Sequence, residues 1–290
     1  MIRFTLVILA LAILTLVLLP FQLIAIAFDL DWQRRIPRLY HRILCMLAGV
    51  RIRQVGQRTS ARPVLILANH ASWLDICIIT ATTPVVFVAK SEVARWPLFG
   101  TLAKLQRTVF VDRDRRQQTG EATAQIAGRL LGGEAVVLFA EGTSSDGIRV
   151  LPFKSALVGS VHQALGTSHG HDSIAVQPLS LAYTRFDGLP VGRALRERVA
   201  WYGDADLIPH FIRVLASGAT DVTLSWGDAI ALNAETDRKQ VTRDAEAAVR
   251  RMTAAALRTI PSQRPAVTIP FHARRRGGPP FAEVTERRQP

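Results

Sequence analysis

The sequence predicts an α/β protein with a mixed, largely parallel sheet that is covered by helices. Short apolar runs such as Val64–Ala68 and Ala135–Phe139 have the length and the uniform hydrophobicity of buried strands. These runs alternate with longer segments in which apolar residues recur at helical spacing. Strands that alternate with helices of ten or more residues are typical of a sheet with both faces covered.

The predicted elements follow one another regularly after the first fifty residues. Strands are predicted at 64–68, 85–89, 108–111, 135–139, 175–182 and 222–226. Helices are predicted at 72–80, 97–105, 119–131, 155–165, 204–216 and 235–258. From about residue 261, Pro, Gly and Arg dominate the chain. We therefore expect three parts: an N-terminal segment at 1–50, a folded domain at 51–260 with its motifs at about 64–184, and a basic disordered tail at 261–290.

The N-terminal segment has the composition of a membrane anchor. Residues 4–28 are almost wholly apolar, with Pro20 and Gln22 as the main interruptions, and about 20 residues suffice to cross a bilayer. A cleaved signal peptide is the alternative, because Ala25 and Ala27 resemble a cleavage site, but the apolar stretch is too long for one. Pro20 leaves two arrangements open: one kinked spanning helix, or a helical hairpin in one leaflet.

The next segment, residues 31–50, predicts a basic amphipathic helix. Its arginines alternate at helical spacing with apolar residues: Arg34, Arg35, Arg38 and Arg42 with Ile36, Leu39, Ile43, Leu44 and Leu47. Such a helix suits anionic lipid headgroups, although an ordinary surface helix has the same pattern. Pro37 is expected to delay the start of the helix. Because these arginines follow the apolar segment, we expect the folded domain to lie on the cytoplasmic side.

Charge and cysteine content narrow the function classes. Thirty-six Lys and Arg against 23 Asp and Glu give a net charge of +13, which favours anionic partners. Nucleic acid is disfavoured, since the sequence shows neither an aromatic-glycine RNA-recognition block nor zinc-ligand spacing. Only Cys45 and Cys77 occur, so a disulfide framework is not expected and a reduced, cytosol-facing domain is. We interpret Cys77 as a small buried hydrophobe, not a nucleophile.

The first motif, Asn69-His70-Ala-Ser-Trp-Leu-Asp75, follows the predicted strand at 64–68. A neutral imidazole is the usual general base near pH 7, and Asp75 can hold its second nitrogen. On one helix, residues five apart point about 140° from each other, so His70 must lie in the turn before the helix. Alternatively, Asp75 merely caps the helix with Ser72, and His70 is an ordinary turn histidine.

The second motif, Phe139-Ala-Glu141-Gly142-Thr143-Ser144, follows the predicted strand at 135–139. Gly142 permits a tight turn that can expose backbone N–H groups to an anion. Glu141 and Thr143 can hold the loop or hydroxyl groups of a substrate. A serine-hydrolase interpretation fails, because the Gly-x-Ser-x-Gly elbow is absent.

A third group of polar residues lies between the two motifs. Lys90 ends one predicted strand, a Pro97-x-x-Gly100 turn follows, and Asp112-Arg113 ends the next strand. A guanidinium at the end of a strand beside the His70 turn is well placed for an anionic headgroup.

Taken together, these strings resemble the glycerolipid (1-acyl-sn-glycerol-3-phosphate) acyltransferase family, whose blocks read Asn-His-x4-Asp and Phe-Pro-Glu-Gly-Thr-Arg. The resemblance spans roughly residues 35–230. It implies a membrane-bound O-acyltransferase that moves a fatty acyl group from acyl carrier protein or coenzyme A to the hydroxyl of lysophosphatidate, making phosphatidic acid. No resident cofactor is expected, no metal is expected because the sequence shows no ligand cluster, and no nucleic acid partner is expected for the reasons given above. With the arginines that follow the apolar segment, we expect a bacterial inner membrane location with the domain facing the cytoplasm.

The resemblance also assigns site residues. His70 and Asp75 are expected to be catalytic. The acceptor is expected to contact the remaining motif residues: Asn69, Lys90, Arg113, Glu141, Gly142, Thr143 and Ser144.

Two residues depart from the family pattern. Ala140 replaces a proline, and Ser144 replaces the arginine that the family associates with the acceptor phosphate. Serine offers one neutral hydrogen bond where arginine offers a charged fork. Either Lys90, Arg113 or Lys154 then binds the phosphate, or the acceptor is not lysophosphatidate. The longer string around this turn resembles bacterial acyltransferases that act on lyso-ornithine lipid. Of the two acceptors, lysophosphatidate is slightly favoured. A non-catalytic membrane adaptor that binds lipid is the remote alternative to an enzyme.

Overall fold

The computed structural model of the chain describes residues 2–112, 116–156, 158–159, 161–162, 173–233 and 235–258, with only the backbone at 116–119. Within these residues, nine strands form one sheet. The strands are Val50–Val55 (β1), Val64–Ala68 (β2), Val86–Lys90 (β3), Val109–Val111 (β4), Ala135–Phe139 (β5), Ser173–Phe186 (β6), Leu189–Pro190 (β7), Thr220–Trp226 (β8) and Ile230–Asn233 (β9).

The sheet is mixed but largely parallel, as the sequence predicts. Its main order is β1-β8-β6-β2-β5-β3-β4. The central strand β2 pairs in parallel with both β5 and β6, and β3 pairs in parallel with β4 and β5. The long strand β6 pairs antiparallel with β7, β8 and β9, while β1 runs parallel to β8. The carboxyl ends of β2 and β5 therefore lie side by side.

Helices cover both faces of this sheet. They are Ile2–Ala27 (α1), Trp32–Leu47 (α2), Leu74–Thr82 (α3), Phe99–Leu105 (α4), Arg116–Leu131 (α5), Arg193–Val199 (α6), Leu207–Ala216 (α7) and Arg238–Arg258 (α8). Ile66 of β2 packs in the layer that holds α1, α2, α3 and α7, whereas Leu65 and Leu67 pack in the layer that holds α5 and α8. Burial on both faces explains why β2 and β5 are uniformly apolar.

The predicted strands are confirmed, with small shifts at their ends. The predicted strand at 175–182 is longer and extends over Ser173–Phe186. Helical backbone is seen at 155–156, 158–159 and 161–162 within the predicted helix 155–165, whose remaining residues lie outside the described part. The predicted tail at 261–290 also lies outside it.

Four of these strands and helices were missed by the sequence prediction: β1, β7, β9 and α6. In β1, the apolar Val50 and Ile52 alternate with Arg51 and Arg53 on an edge strand with one charged face. The prediction instead assigned residues up to 50 to the preceding helix. The other three elements are short, with two residues in β7, four in β9 and seven in α6.

The N-terminal segment forms a hairpin of two helices. Helix α1 continues through Pro20, so the two helices of the hairpin are α1 and α2, not two halves of residues 4–28. Arg3 Nη2 donates to Leu47 O at 3.4 Å, and Gln22 Nε2 donates to Gln33 O at 3.2 Å, which makes the two helices antiparallel. By length and composition α1 could cross a membrane, and only 11% of its most apolar window is buried.

Pro37 lies inside α2, which already begins at Trp32, so the expected delay of this helix at Pro37 is wrong. The proline has no N–H for the carbonyl of Gln33, four residues earlier. Gln22 of α1 supplies the missing donor to that carbonyl. The same amide also donates to Leu105 O at 2.7 Å, which ties the hairpin to the domain.

Candidate active site

The two sequence motifs meet at the carboxyl ends of β2 and β5. Ala68 pairs with Phe139 in the parallel register, and Ala140 N donates to Ala68 O at 3.1 Å. The His70 ring stacks on the Phe139 ring with centroids 4.0 Å apart and planes inclined by 15°. Open α/β sheets place their sites at such strand ends. The two motifs therefore lie next to each other at the same ends of the strands.

Asp75 holds His70 and starts helix α3 at the same time. Its Oδ2 accepts hydrogen bonds from His70 Nδ1 at 2.9 Å, Ala71 N at 2.7 Å and Ser72 N at 2.9 Å. The Asp75 side chain is 0% exposed and sits in the first turn of α3. His70 lies in the preceding turn, as the five-residue spacing predicts. Asp75 therefore has both of the roles that the sequence offered as alternatives: it caps the start of α3 and it orients the His70 ring.

Tyr183 completes the environment of this carboxylate. Its hydroxyl donates to Asp75 Oδ1 at 2.6 Å from strand β6. The side chain is 1% exposed. Burial raises the pKa of Tyr183 well above its usual value, and the negative charge of Asp75 adds to this shift, so the phenol remains a donor. Tyr183 could not be identified as a site residue from the sequence, because a single tyrosine in an apolar strand belongs to no motif.

The arrangement leaves one nitrogen of His70 available for chemistry. In the neutral imidazole, Nδ1 carries the proton and donates a hydrogen bond to the Asp75 carboxylate, and Nε2 keeps its lone pair. The His70 side chain is 17% exposed, whereas Asp75 is fully enclosed. This geometry matches the His-Asp half of a serine-hydrolase triad without the serine. It can take a proton from a hydroxyl group that a substrate brings to Nε2.

Glu141 supports the histidine turn from the neighbouring strand end. Its Oε1 accepts the backbone N–H of His70 at 3.3 Å, and the residue is 2% exposed. Burial raises the pKa of Glu141 to about 7, although the N–H of His70 opposes the shift. Its Oε2 is buried and has no hydrogen-bond partner among the described residues. This placement assigns Glu141 to the loop, one of the two roles that the sequence left open.

The loop after Glu141 differs in one respect from the expectation. Gly142 has φ +76° and donates its N–H to Phe139 O at 3.1 Å, so this N–H closes the turn and does not face an anion. Thr143 is exposed and Ser144 is half-buried. Ser145, which the sequence did not single out, donates its backbone N–H to His70 O at 2.8 Å. The loop thus holds the histidine backbone on its carbonyl side as well.

Asn69 is placed differently from the prediction. It is 1% exposed, and its amide makes a reciprocal pair with the backbone of Leu181. Asn69 Nδ2 donates to Leu181 O at 3.0 Å, and Leu181 N donates to Asn69 Oδ1 at 2.8 Å. Because both ends of the amide are occupied, the structure assigns Asn69 to fastening β2 to β6 and not to substrate contact.

The predicted cationic residues are only partly placed at the site. Lys90 is exposed and ends β3 at the same sheet edge as His70. The register pairs Phe87 with Val137, which brings Lys90 level with Ala140, one strand beyond β5. Arg113 lies outside the described residues. Lys154 has an exposed side chain, and its backbone N–H donates to Ala140 O at 2.8 Å.

The structure adds one cation that the sequence did not identify. Arg196 of α6 is 5% exposed, and its Nε and Nη1 have no hydrogen-bond partner among the described residues. Burial lowers the pKa of Arg196, although the charge of Asp146 opposes this shift. Its Nη1 lies 3.7 Å from where a Cβ on Gly147 would be, and that position is 3.0 Å from Ala71 Cβ. A guanidinium with two nitrogens that lack hydrogen-bond partners among the described residues therefore lies behind the motif loop, close to the residue that follows His70.

Comparisons with known proteins identify the family of the chain. The Acyltransferase family model matches residues 49–182. The lyso-ornithine lipid O-acyltransferase of Brucella abortus is 48% identical over 256 residues, which cover 88% of this chain and 96% of that protein. The enzyme of the same name from Rhizobium meliloti is 43% identical over 248 residues, or 86% of this chain and 85% of that one.

More distant relatives carry a different name. The 1-acyl-sn-glycerol-3-phosphate acyltransferase of Neisseria gonorrhoeae is 37% identical over 113 residues, which are 38% of this chain and 44% of that protein. The crystal structure of the 1-acyl-sn-glycerophosphate acyltransferase PlsC from Thermotoga maritima aligns with TM-score 0.60 and 20% identity, over 90% of this chain and 99% of that one, and shows the same fold. The resemblance inferred from the motifs is confirmed: this chain belongs to the acyltransferase family, and its relatives here are named as acyltransferases of lyso-ornithine lipid or of 1-acyl-sn-glycerol-3-phosphate.

Proposed function

We propose that the protein transfers a fatty acyl group from a thioester to the free hydroxyl of lyso-ornithine lipid, making ornithine lipid. One observation carries this choice of acceptor. Relatives with that activity in their name match 88% and 86% of the chain, whereas the Neisseria lysophosphatidate enzyme matches 38% of it. The comparisons thus favour the alternative acceptor over lysophosphatidate, which the sequence alone placed slightly ahead.

In the proposed reaction, the acceptor hydroxyl itself is the nucleophile. His70 Nε2 takes the hydroxyl proton while the oxygen attacks the thioester carbonyl, and Asp75 stabilises the imidazolium through Nδ1. The tetrahedral intermediate then expels the thiol of acyl carrier protein or coenzyme A, which takes the proton back from His70. The ester forms as the thioester breaks, and the step needs neither a metal nor a resident cofactor.

The charges around the motif loop support a zwitterionic acceptor. Lyso-ornithine lipid offers a carboxylate and an ammonium group but no phosphate. Ser144, in the position where the family pattern has arginine, supplies no charge for a phosphate. Arg196 has unpaired guanidinium nitrogens behind the same loop, and a guanidinium binds a carboxylate well. We therefore assign the acceptor carboxylate to the side of the loop that faces α6.

We propose further that the protein lies on one leaflet of the bacterial inner membrane and faces the cytoplasm. Helix α1 packs along α2 from Arg3 to Gln22, and this packing supports a helix that lies along the domain and does not cross the bilayer alone. Its outer face is apolar and exposed, at Ile2, Leu6, Leu9, Ile13, Leu16 and Val17. An apolar helix held sideways on a domain is suited to the plane of the interface. The cytoplasmic face gives access to acyl thioesters.

The experiment is acyl transfer by the purified full-length protein. Lyso-ornithine lipid and lysophosphatidate are compared as acceptors, each with acyl carrier protein and with coenzyme A thioesters, and His70→Ala serves as the inactive control. We expect kcat/KM to be at least tenfold higher with lyso-ornithine lipid. Equal or better use of lysophosphatidate would refute the proposed acceptor. If neither lysolipid is acylated, the proposal that the protein acylates these lipids is refuted.

A further inference from the structure

A cavity lies at the amino-terminal ends of the strands, opposite to the carboxyl ends where His70 lies. Its volume is about 280 Å³, and its wall includes Val86 and Ala135, the first residues of β3 and β5. His70 follows the other end of the neighbouring strand β2, whose five residues span roughly 16 Å at about 3.3 Å each. The cavity is therefore separate from the catalytic turn.

This cavity is strongly cationic. Five arginines and two carboxylates line it: Arg34, Arg35, Arg58, Arg62 and Arg107, with Asp31 and Glu134. Glu134 is buried and is shared by Arg34, at 3.1 Å, and by Arg107. Asp31 and Arg35 are largely exposed and 4.0 Å apart, which makes their pairing weak. The wall thus has an excess of three positive charges.

Arg58 and Arg62 carry most of this unbalanced charge. Neither makes a salt bridge within the described part of the chain: Arg58 Nη1 donates to the Thr83 hydroxyl, and Arg62 Nη1 donates to Ala61 O at 2.6 Å. Arg58 Nε is buried without a hydrogen-bond partner among the described residues. Burial lowers the pKa of Arg58, and repulsion from Arg62 lowers it further. A bound anion would relieve both effects.

An apolar groove adjoins the cavity. It lies between α1 and α2, has a volume of about 310 Å³ and is lined by Leu18, Phe21, Trp32, Arg35, Ile36 and Leu39. Arg35 lines both the groove and the cavity. Phe21 and Trp32 are each 50% exposed there. The two sites together therefore offer apolar contacts beside a cationic recess.

We propose that this recess binds the phosphate headgroup of an anionic membrane phospholipid, with one acyl chain in the groove between α1 and α2. The excess positive charge of the recess favours an anion as the ligand. The apolar groove beside it lies on the hairpin that we propose faces the membrane, and this favours a lipid over a free anion. An acidic protein fits less well, since the arginines lie in a recess of headgroup size and not on a convex face. The lipid would hold the hairpin against the domain.

The test is thermal unfolding of the full-length protein in neutral detergent. Phosphatidylglycerol, phosphatidylcholine with the same chains, and inorganic phosphate are titrated separately, because a ligand of the folded state raises Tm with its concentration. We expect phosphatidylglycerol to raise Tm and the other two to have little effect. The variant Arg58→Gln/Arg62→Gln should need about tenfold more phosphatidylglycerol, or more, for half of the shift.

A charge-matched variant, Arg243→Gln/Arg251→Gln, changes two exposed arginines of α8 and should respond like wild type. If the double variant at the cavity does not fold, Arg62→Gln alone tests the site, because Arg62 is exposed and its hydrogen bonds within the described residues go to its own loop. An equal shift with phosphatidylcholine, an equal shift with inorganic phosphate, or an unchanged titration in the cavity variants would each overturn the proposal. So would a Tm shift with acidic acyl carrier protein but none with phosphatidylglycerol. These readouts need no acceptor, so they are independent of the proposed reaction.

Discussion

The hydroxyl of Tyr183 donates a 2.6 Å hydrogen bond to Oδ1 of Asp75, while Oδ2 of the same carboxylate holds His70. The two residues lie 108 positions apart in the sequence. Strand β6 therefore contributes to the orientation of the histidine without touching it. Tyr183 is a positioning residue in this site, and the carboxylate that it contacts is fully buried.

Tyr183→Phe should lower kcat by about tenfold and leave KM nearly unchanged. The phenyl ring fills the same space, but Oδ1 of the buried carboxylate loses its donor, which costs about 1–3 kcal/mol of stability. Steady-state kinetics and urea unfolding measure the two effects. Tyr202→Phe, at a half-buried position outside the site, is the matched control. A purely structural role for Tyr183 would show a lower unfolding midpoint with unchanged kcat.

His70→Ala should reduce turnover by roughly 10²–10⁴-fold, the usual contribution of a general base. Folding should persist, because the Ala71 and Ser72 N–H groups still bind Asp75 and the backbone bonds of residue 70 remain. Turnover assays and circular dichroism measure these outcomes, and His162→Ala, at a half-buried position, is the control. Activity within about threefold of wild type would exclude His70 as the base.

Glu141→Gln should remove a pH dependence of stability. The pKa of Glu141 is about 7 in the folded protein against an ordinary value of 4.5. Between these values the unfolded chain ionises first, so the free energy of unfolding falls as pH rises from about 4.5 to 7 and levels off above. Urea midpoints of wild type and Glu141→Gln should diverge over this window, with the variant more stable at the alkaline end. Parallel curves would contradict the raised pKa.

Ser144→Arg should shift acceptor preference toward phosphate. A well-formed charge-assisted contact contributes about 1.5–3 kcal/mol, so the ratio of kcat/KM for lysophosphatidate to that for lyso-ornithine lipid should rise about tenfold or more. Ser144→Ala is the control for loss of the hydroxyl. If wild type already uses lysophosphatidate efficiently, or if the arginine leaves the ratio unchanged, residue 144 does not select the acceptor.

Gln22→Ala should destabilise the hairpin by about 1–3 kcal/mol, because two carbonyls lose a buried donor. The Gln33 carbonyl has no helical substitute, since Pro37 lacks an N–H. Thermal unfolding in detergent measures the effect, and Gln240→Ala at an exposed site is the control. An unchanged Tm would mean that the two carbonyls find other donors.

Much of the turn that holds His70 and Asp75 could be predicted from the sequence, because the contacts within it are local. His70 and Asp75 lie five residues apart, and this spacing alone required a turn before the helix. The meeting of the turn with Phe139 and Glu141 followed from two buried strands in a parallel sheet. The partial failure at Asn69 has a clear cause: an amide beside a catalytic residue looks identical in sequence whether it faces substrate or a neighbouring strand.

The rest of the site could not be predicted because it depends on distant packing. Tyr183 and Arg196 reach the turn from β6 and α6, and neither belongs to a spaced pattern. Strand β6 was predicted only to residue 182, one residue before the tyrosine. The cavity arginines come from α2, the β1–β2 connection and the α4–β4 connection, and the strand β1 was itself missed. Edge strands with one charged face give a weak signal.

The fixed histidine has a consequence for how such enzymes diverge. Its ring, N–H and carbonyl are held by Phe139, Glu141 and Ser145, whereas Thr143 and Ser144 on the same loop are not among these supports. Under the proposed function, the groups that transfer the proton are therefore held separately from the loop positions that we expect to face the acceptor. We expect substitutions at Thr143 and Ser144 to change the choice of lysolipid while His70 and Asp75 keep their places. Sequence identity across the motifs then indicates shared reaction chemistry, whereas the loop residues between the supports indicate which acceptor lipid is used.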